Sequence, residues 1–346
     1  MSQTPFHSVE TYRDTFVQGL NRMLQIDQLG TYILVLANAI YDAEIHHVLK
    51  SRLDTRYHEL VALLTQYLRE GRDLDHTSDD LLVFLKLMAM GYDQVQMSKF
   101  RQAHPWHIQY NHLRSFRPAR MSNEVITEIS RPFDEQGFHF NKPFLEKEIM
   151  WRGDLHGRDC SLLYNKFPFA SLHGLLVVQP QLNRPQLLDQ GTHGYLWQLL
   201  EQAGDRMPGL GFGYNARGAY ASVNHLHFHT YLNNQGLYPI EQPLWSHNGG
   251  ARDYPLACQR LLDMDAAWVA IAEQHQANHA YNLLYRPGVL YLVPRAMQGS
   301  YEDTDNSTAG YAWSEVAGSV TTCRESDFAQ ITGQQITNEL KKLVIR

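Results

Sequence analysis

Apolar residues recur every three to four positions through most of the first hundred residues, as in LGTYILVLANAI at 29–40, YHELVALLTQYL at 57–68 and DLLVFLKLMAM at 80–90. This period predicts helices from about Val9 to Phe100. Thr77 and Ser78 precede Asp79 and Asp80, a polar cluster suited to capping a helix start. Met88, Met90 and Met97 read as helix core, and the apolar stripes are expected to pack on each other or on the next domain. Periodicity then stops. The stretch HPWHIQYNHLRSFRPAR at 104–120 is rich in proline, arginine and aromatics and reads as a linker. Its Arg114, Arg117 and Arg120 are expected as solvated or interdomain charges before phosphate ligands. Beyond Met121 the texture changes to short β-branched and aromatic runs between turn residues, at 124–129, 174–180, 220–232, 280–285, 289–294 and 316–320, which predict strands. Helical stretches at 194–203 and from Pro255 to about Ala277 separate some of them. Strands and helices in this order predict an α+β domain with a mainly antiparallel sheet and flanking helices, preceded by an all-helical N-terminal region. The expected division is 1–115 and 116–346.

Composition narrows the class. The 346 residues can bury a substantial core, and 44% apolar with 19% charged residues is ordinary for a globular chain. No apolar run approaches the roughly 20 residues that span a bilayer. The start, Met1 to Pro5, lacks the basic and apolar regions of a secretory signal, so the reading is cytoplasmic, with no membrane partner. A net charge of −6 argues against broad binding to nucleic acid. Cys160, Cys258 and Cys323 are too far apart for a Cys-x-x-Cys site and read as buried thiols.

Histidine, at 18 residues, is the unusual count, and spacing decides which ones matter. His225, His227 and His229 alternate with Leu226 and Phe228, so an extended strand would turn all three imidazoles to one face and both apolar residues to the core. Such a row suits a metal ion, a nucleophilic imidazole whose other nitrogen is held by a hydrogen bond, or a plain surface strand. The glycine-rich approach GLGFGYNARG at 209–218 is better suited to backbone donors meeting a phosphate, which favours phosphorus chemistry without a metal.

The segment FGYNARGAYASVNHLHFHTYL at 212–232 resembles the active-site strand of the GDP-hexose phosphorylases, the GDP-L-galactose and GDP-D-glucose phosphorylase family. These belong to the galactose-1-phosphate uridylyltransferase branch of the histidine-triad superfamily. RPFDEQGFHFNK at 131–142 resembles the family's strand entering the domain, and LYNKFPFASLHGLLVV at 163–178 resembles the general histidine-triad strand pair. YNLLYR at 281–286, VPR at 293–295 and WSEVAG at 313–318 are similar to its C-terminal half, so the resemblance covers roughly 125–330. It implies a HIT-like, galactose-1-phosphate uridylyltransferase-like sheet. It also implies His227 as nucleophile, His225 orienting it through its backbone carbonyl, and His229 near the phosphate oxygens. Asn215, Gly218 and Ser222 stand where the branch places phosphate contacts, and Asn165 where an Asn reaches the ribose.

The reaction this implies is nucleotidyl transfer through a covalent nucleotidyl-histidine, most simply GDP-hexose plus inorganic phosphate giving GDP and hexose 1-phosphate. The alternatives are a dinucleoside polyphosphate phosphorylase or hydrolase, and, in another class, a non-catalytic nucleotide-binding regulator. No cofactor is chemically required. Plant members carry Gln where this chain has His229, which leaves phosphate and water both open as acceptors. A homodimer is the assembly the superfamily suggests. Among other residues, His173 reads as structural or as a support to the site. Arg286 and Arg295 read as phosphate ligands or carboxylate partners, with Arg295 assigned to phosphate. Glu315 reads as a sugar contact or an exposed strand carboxylate, and His104 and His107 make a poor metal site.

Overall fold

The computed structural model describes residues 4–72, 77–116, 125–233, 236–301, 308 and 310–345. Arg117, Arg120 and the first residue of the strand expected at 124–129 lie outside them. The chain opens with four helices, α1 (Val9–Met23), α2 (Leu29–Ala39), α3 (Ala43–Arg69) and α4 (Ser78–Met90). Side chains of Ser8, Asp42 and Thr77 cap α1, α3 and α4 by accepting backbone N–H groups of the first turn. Every residue of α2 is buried, which explains why it is apolar all round.

A hairpin comes next, β1 (Lys99–Ala103) and β2 (Trp106–Tyr110), and it corrects the linker expected at 104–120. Trp106, Ile108 and Tyr110 are buried on the period-two spacing of a strand. That signal was hidden by Pro105 and by the distance to the partner, because β2 pairs in parallel with β11 (Ser319–Thr322), near the other end of the chain.

The remaining strands form one sheet: β3 (Ile149–Leu155), β4 (Arg158–Tyr164), β5 (Gly174–Val178), β6 (Leu210–Asn215), β7 (Phe228–Leu232), β8 (Gln259–Leu261), β9 (Ala280–Arg286) and β10 (Val289–Arg295). Their order is β3-β4-β5-β7-β6-β9-β10-β8, and neighbouring strands are antiparallel. The antiparallel α+β class is therefore as expected. Two local expectations are not met: 125–129 is not a strand, and the helix placed at 255–277 is β8 followed by α6 (Met264–Gln276).

One sheet face is covered by the N-terminal helices, α5 (Gln190–Ala203) and α6 in a continuous core that includes Phe6, Tyr12, Phe16, Tyr164, Phe212 and Phe228. Tyr12 donates or accepts with Thr230 Oγ1 at 2.8 Å, directly under β7. The opposite face carries a second core around Trp106, Tyr231, Trp245, Trp313 and Val320. It is closed by α7 (Trp313–Val316), α8 (Glu325–Gln330) and α9 (Gly333–Lys342). The helical region and the sheet thus share one core.

Truncating a fully buried α2 side chain should therefore destabilise the whole unit. Ile33→Ala is expected to lower unfolding free energy by about 2–5 kcal/mol while keeping a single urea transition. A second, separate transition for the N-terminal helices would show that they fold independently of the sheet.

Candidate active site

β7 alternates its faces: Phe228, Thr230 and Leu232 meet the helices, while His229 and Tyr231 meet the opposite layer. The regular strand begins only at Phe228, so His225 and His227 precede it, which corrects the long strand expected over 220–232. Their backbone is held by a side chain instead. Gln186, 1% exposed, accepts the His227 N–H at Oε1 (2.9 Å) and donates through Nε2 to the carbonyls of Asn215 (2.9 Å) and His227 (3.2 Å). An amide side chain thus replaces the missing ladder partner.

All three imidazoles are buried, and fixed neighbours settle their tautomers. His227 Nδ1 lies 2.8 Å from the His225 carbonyl. A carbonyl only accepts, so Nδ1 carries the proton and Nε2 keeps its lone pair. The Phe140 N–H donates to His225 Nδ1 at 3.2 Å. The Phe169 N–H donates to His173 Nδ1 at 3.3 Å, so His173 holds its proton on Nε2 and donates it to His229 Nδ1 at 2.9 Å. His229 is then protonated on Nε2. Asn215 Oδ1 accepts from Asn282 Nδ2 and from the Trp313 N–H, both at 2.8 Å, which turns its Nδ2 donor toward His229 Nε2 at 3.4 Å. Two donor nitrogens therefore face each other at 3.4 Å, with the His227 and His229 rings 5.6 Å apart, and an oxygen acceptor between them would satisfy both.

Burial keeps the rings neutral. It lowers His225 and His227 to about 4, the latter opposed by the His225 carbonyl, and His173 to about 3. His229 lies well below its ordinary value, from burial first and then from His173, His227 and Arg114. The walls are aromatic. Phe140 stands 5.0 Å from the His227 ring, Phe169 5.6 Å and Trp313 6.1 Å from that of His229.

The glycines of β6 serve a purpose other than the expected phosphate cradle. Gly211 and Gly213 lie inside paired strands, and a Cβ on either would strike the ring of Tyr231 or Trp313. They make room for the aromatic stack of Tyr231 on Trp313, 5.0 Å apart.

Asn165 reaches the group from its edge, 3.4 Å from His173 Nε2. Gly218 sits at a turn with φ +83, and Ser222 is exposed on the approach to the histidines. Arg295 is fully buried with its guanidinium donating to the Tyr311 and Ala296 carbonyls and the Tyr301 hydroxyl, and it faces the Tyr220 ring at 5.2 Å. Arg286 pairs with Glu241 at 3.0 Å. Glu315 is neither exposed nor on a strand: it caps its own helix through the Ala312 N–H, and burial raises its carboxyl to about 7. Sequence reasoning missed Gln186, Asn282, Phe140, Phe169 and the buried Trp313. A lone asparagine in the apolar run 280–285 was the one available signal. Asn282 Oδ1 and Trp313 Nε1 are buried without a hydrogen-bond partner among the described residues. Among those residues, no three His, Cys, Asp or Glu side chains are grouped as a metal ion requires, and no helix is long and apolar enough to cross a membrane.

A histidine with a lowered folded-state pKa binds protons less readily than in the unfolded chain, so stability falls as pH drops from about 6.5 to about 4. Between pH 7 and pH 5 the loss should be on the order of 1–2 kcal/mol for each of His173, His225 and His227. Urea midpoints that do not change over this range would contradict neutral buried rings.

Residues 90–231 match the family model described as GDPGP1-like, N-terminal domain. GDP-D-glucose phosphorylase 1 of Danio rerio is 35% identical over 125 residues, 34% of this chain and 34% of that protein. The Homo sapiens protein of the same name is 34% identical over 133 residues, 36% of this chain and 33% of its own length. The alignment thus spans about a third of these curated relatives. The yeast Ap4A phosphorylase Apa2 superposes with a TM-score of 0.52 at 14% identity, covering 76% of this chain and 93% of that one, which is a likeness of fold. The resemblance to the GDP-hexose phosphorylases therefore stands on the segment that carries all three histidines, within a fold like that of the yeast Ap4A phosphorylase Apa2.

Proposed function

We propose that this chain is a nucleotide-sugar phosphorylase that transfers a nucleotidyl group through His227. The observation that carries the reading is the 2.8 Å contact of His227 Nδ1 with the His225 carbonyl, in a group where His229 Nε2 and Asn215 Nδ2 lie 3.4 Å apart. The similarity over 90–231 suggests a GDP-hexose as donor and inorganic phosphate as acceptor.

In the first step the Nε2 lone pair attacks the α-phosphorus. A P–N bond forms, the bond to the bridging oxygen breaks, and hexose 1-phosphate leaves with the electron pair. The imidazole becomes positive, and its Nδ1–H bond to the His225 carbonyl strengthens as that charge grows. His229 Nε2–H and Asn215 Nδ2–H are assigned to an equatorial oxygen of the phosphorus under attack. In the second step a phosphate oxygen attacks the same phosphorus, the P–N bond breaks, and GDP departs with neutral His227 restored. Asn165 is assigned to the ribose side. Gly218 and Ser222 are assigned to the approach of the phosphates, while Arg295 acts from the adjoining wall behind Tyr220. Nothing in these steps calls for a metal or organic cofactor.

The test is a panel of nucleotide sugars and dinucleoside polyphosphates, incubated with and without phosphate. GDP-hexose turnover is expected to require phosphate and to pass through an acid-labile nucleotidyl adduct. His227→Asn should form no adduct and lose activity by on the order of 10³-fold or more, and Asn215→Ala should lose about 10²-fold. Full turnover by His227→Asn would refute the covalent route. Phosphate-independent release of a nucleoside monophosphate would make the enzyme a hydrolase.

A further inference from the structure

The loop between β4 and β5, residues 165–173, contributes both Phe169 and His173 to the histidine group, yet its Pro168 cannot donate to a ladder. Five of its carbonyls are taken instead by side chains from the first 114 residues. Gln109 Nε2 donates to the Phe169 carbonyl at 2.8 Å, Asn111 Nδ2 to that of Pro168 at 3.0 Å, and Arg114 Nη1 to that of Phe167 at 3.0 Å. Asn38 Nδ2 donates to the Asn165 carbonyl at 3.0 Å and the Tyr12 hydroxyl to that of Leu172 at 3.2 Å. Lys166 is paired with Asp80 of α4.

Phe169 is the residue through which this support reaches the chemistry. Its carbonyl is held by Gln109, and its N–H fills His173 Nδ1, forcing the His173 proton to Nε2 and from there toward His229. Gln109 is 2% exposed, and its own Oε1 is fixed by the Tyr41 hydroxyl at 2.6 Å, just beyond α2. A second Nε2 bond, to Thr321 Oγ1 at 2.7 Å, ties it to β11. Its amide therefore has one orientation, with the donor end toward Phe169.

We infer that Gln109 is a positioning residue: by holding the Phe169 carbonyl it fixes the backbone at the residue whose N–H sets the tautomer of His173, and thereby which nitrogen of His229 presents a proton to the substrate. Strand β2, backed by Tyr41 beyond α2, contributes to the reaction through this contact, touching no substrate. The kinetic part of the inference rests on the nucleotidyl transfer proposed above, whereas the tautomer itself is independent of it.

Long-range 1H–15N spectra of the labelled 346-residue chain distinguish Nδ1–H from Nε2–H imidazoles. His173 in the unaltered protein should be wholly Nε2–H. In Gln109→Met it should become a mixture, with kcat lowered about tenfold and KM nearly unchanged. Tyr41→Phe, which leaves the core volume intact, should shift the same signals by less and serves if Gln109→Met does not fold. Thr321→Val removes the other Gln109 contact and should leave His173 as Nε2–H. An unchanged His173 tautomer in both folded Gln109→Met and Tyr41→Phe would overturn the inference. So would an equal tautomer change in Thr321→Val, which would indicate general loosening. If the unaltered protein turns over no nucleotide substrate, the transfer reading fails while the spectra still decide the role of Gln109.

Discussion

The hydrogen bond from His227 Nδ1–H to the His225 carbonyl constrains the rest of the site. It spends a backbone acceptor on a side chain, so the chain at 225–227 has to leave the sheet that Phe228–Leu232 belongs to. Burial then makes the departure costly unless the freed backbone groups find partners. Gln186 supplies them for His227, and Asn224, through the Gln186 N–H and the carbonyls of Arg131 and Pro132, ties the preceding turn. The same burial holds the imidazoles neutral, which is the condition for a lone pair at Nε2.

What could be read in the sequence was local in origin. Helix period, cap residues and the His-x-His-x-His spacing each lie within a few residues, and they identified the N-terminal helices, the class of the sheet and the residue group at 225–229. The lost pieces depend on partners far along the chain. β2 looked like linker because its neighbour β11 lies about 210 residues away. Gln186 and Asn282 carry no spacing signal, since what makes them important is which backbone groups reach them in space. The glycines at 211 and 213 were visible, but their reason was not: it is the size of two rings contributed by other elements.

The N-terminal helices illustrate how packing and chemistry share a boundary. Tyr12 touches Thr230 on the reverse of the strand that carries His229, and the same residue holds the Leu172 carbonyl next to His173. A helix that belongs to the apolar core by its burial is thus one residue removed from the polar group on the other face. The sheet, only one backbone thick, is what separates the two environments.

β6 presents Gly211 and Gly213 in succession before Asn215, the first of its side chains to rise on the histidine face. Over that stretch the strand offers bare peptide, and the rings of Tyr231 and Trp313 lie directly on it. The space above these glycines is therefore filled by side chains of other elements and not by the strand beneath. A small residue at 211 and 213 is thus a requirement set by ring size, independent of the strand's own hydrogen bonding.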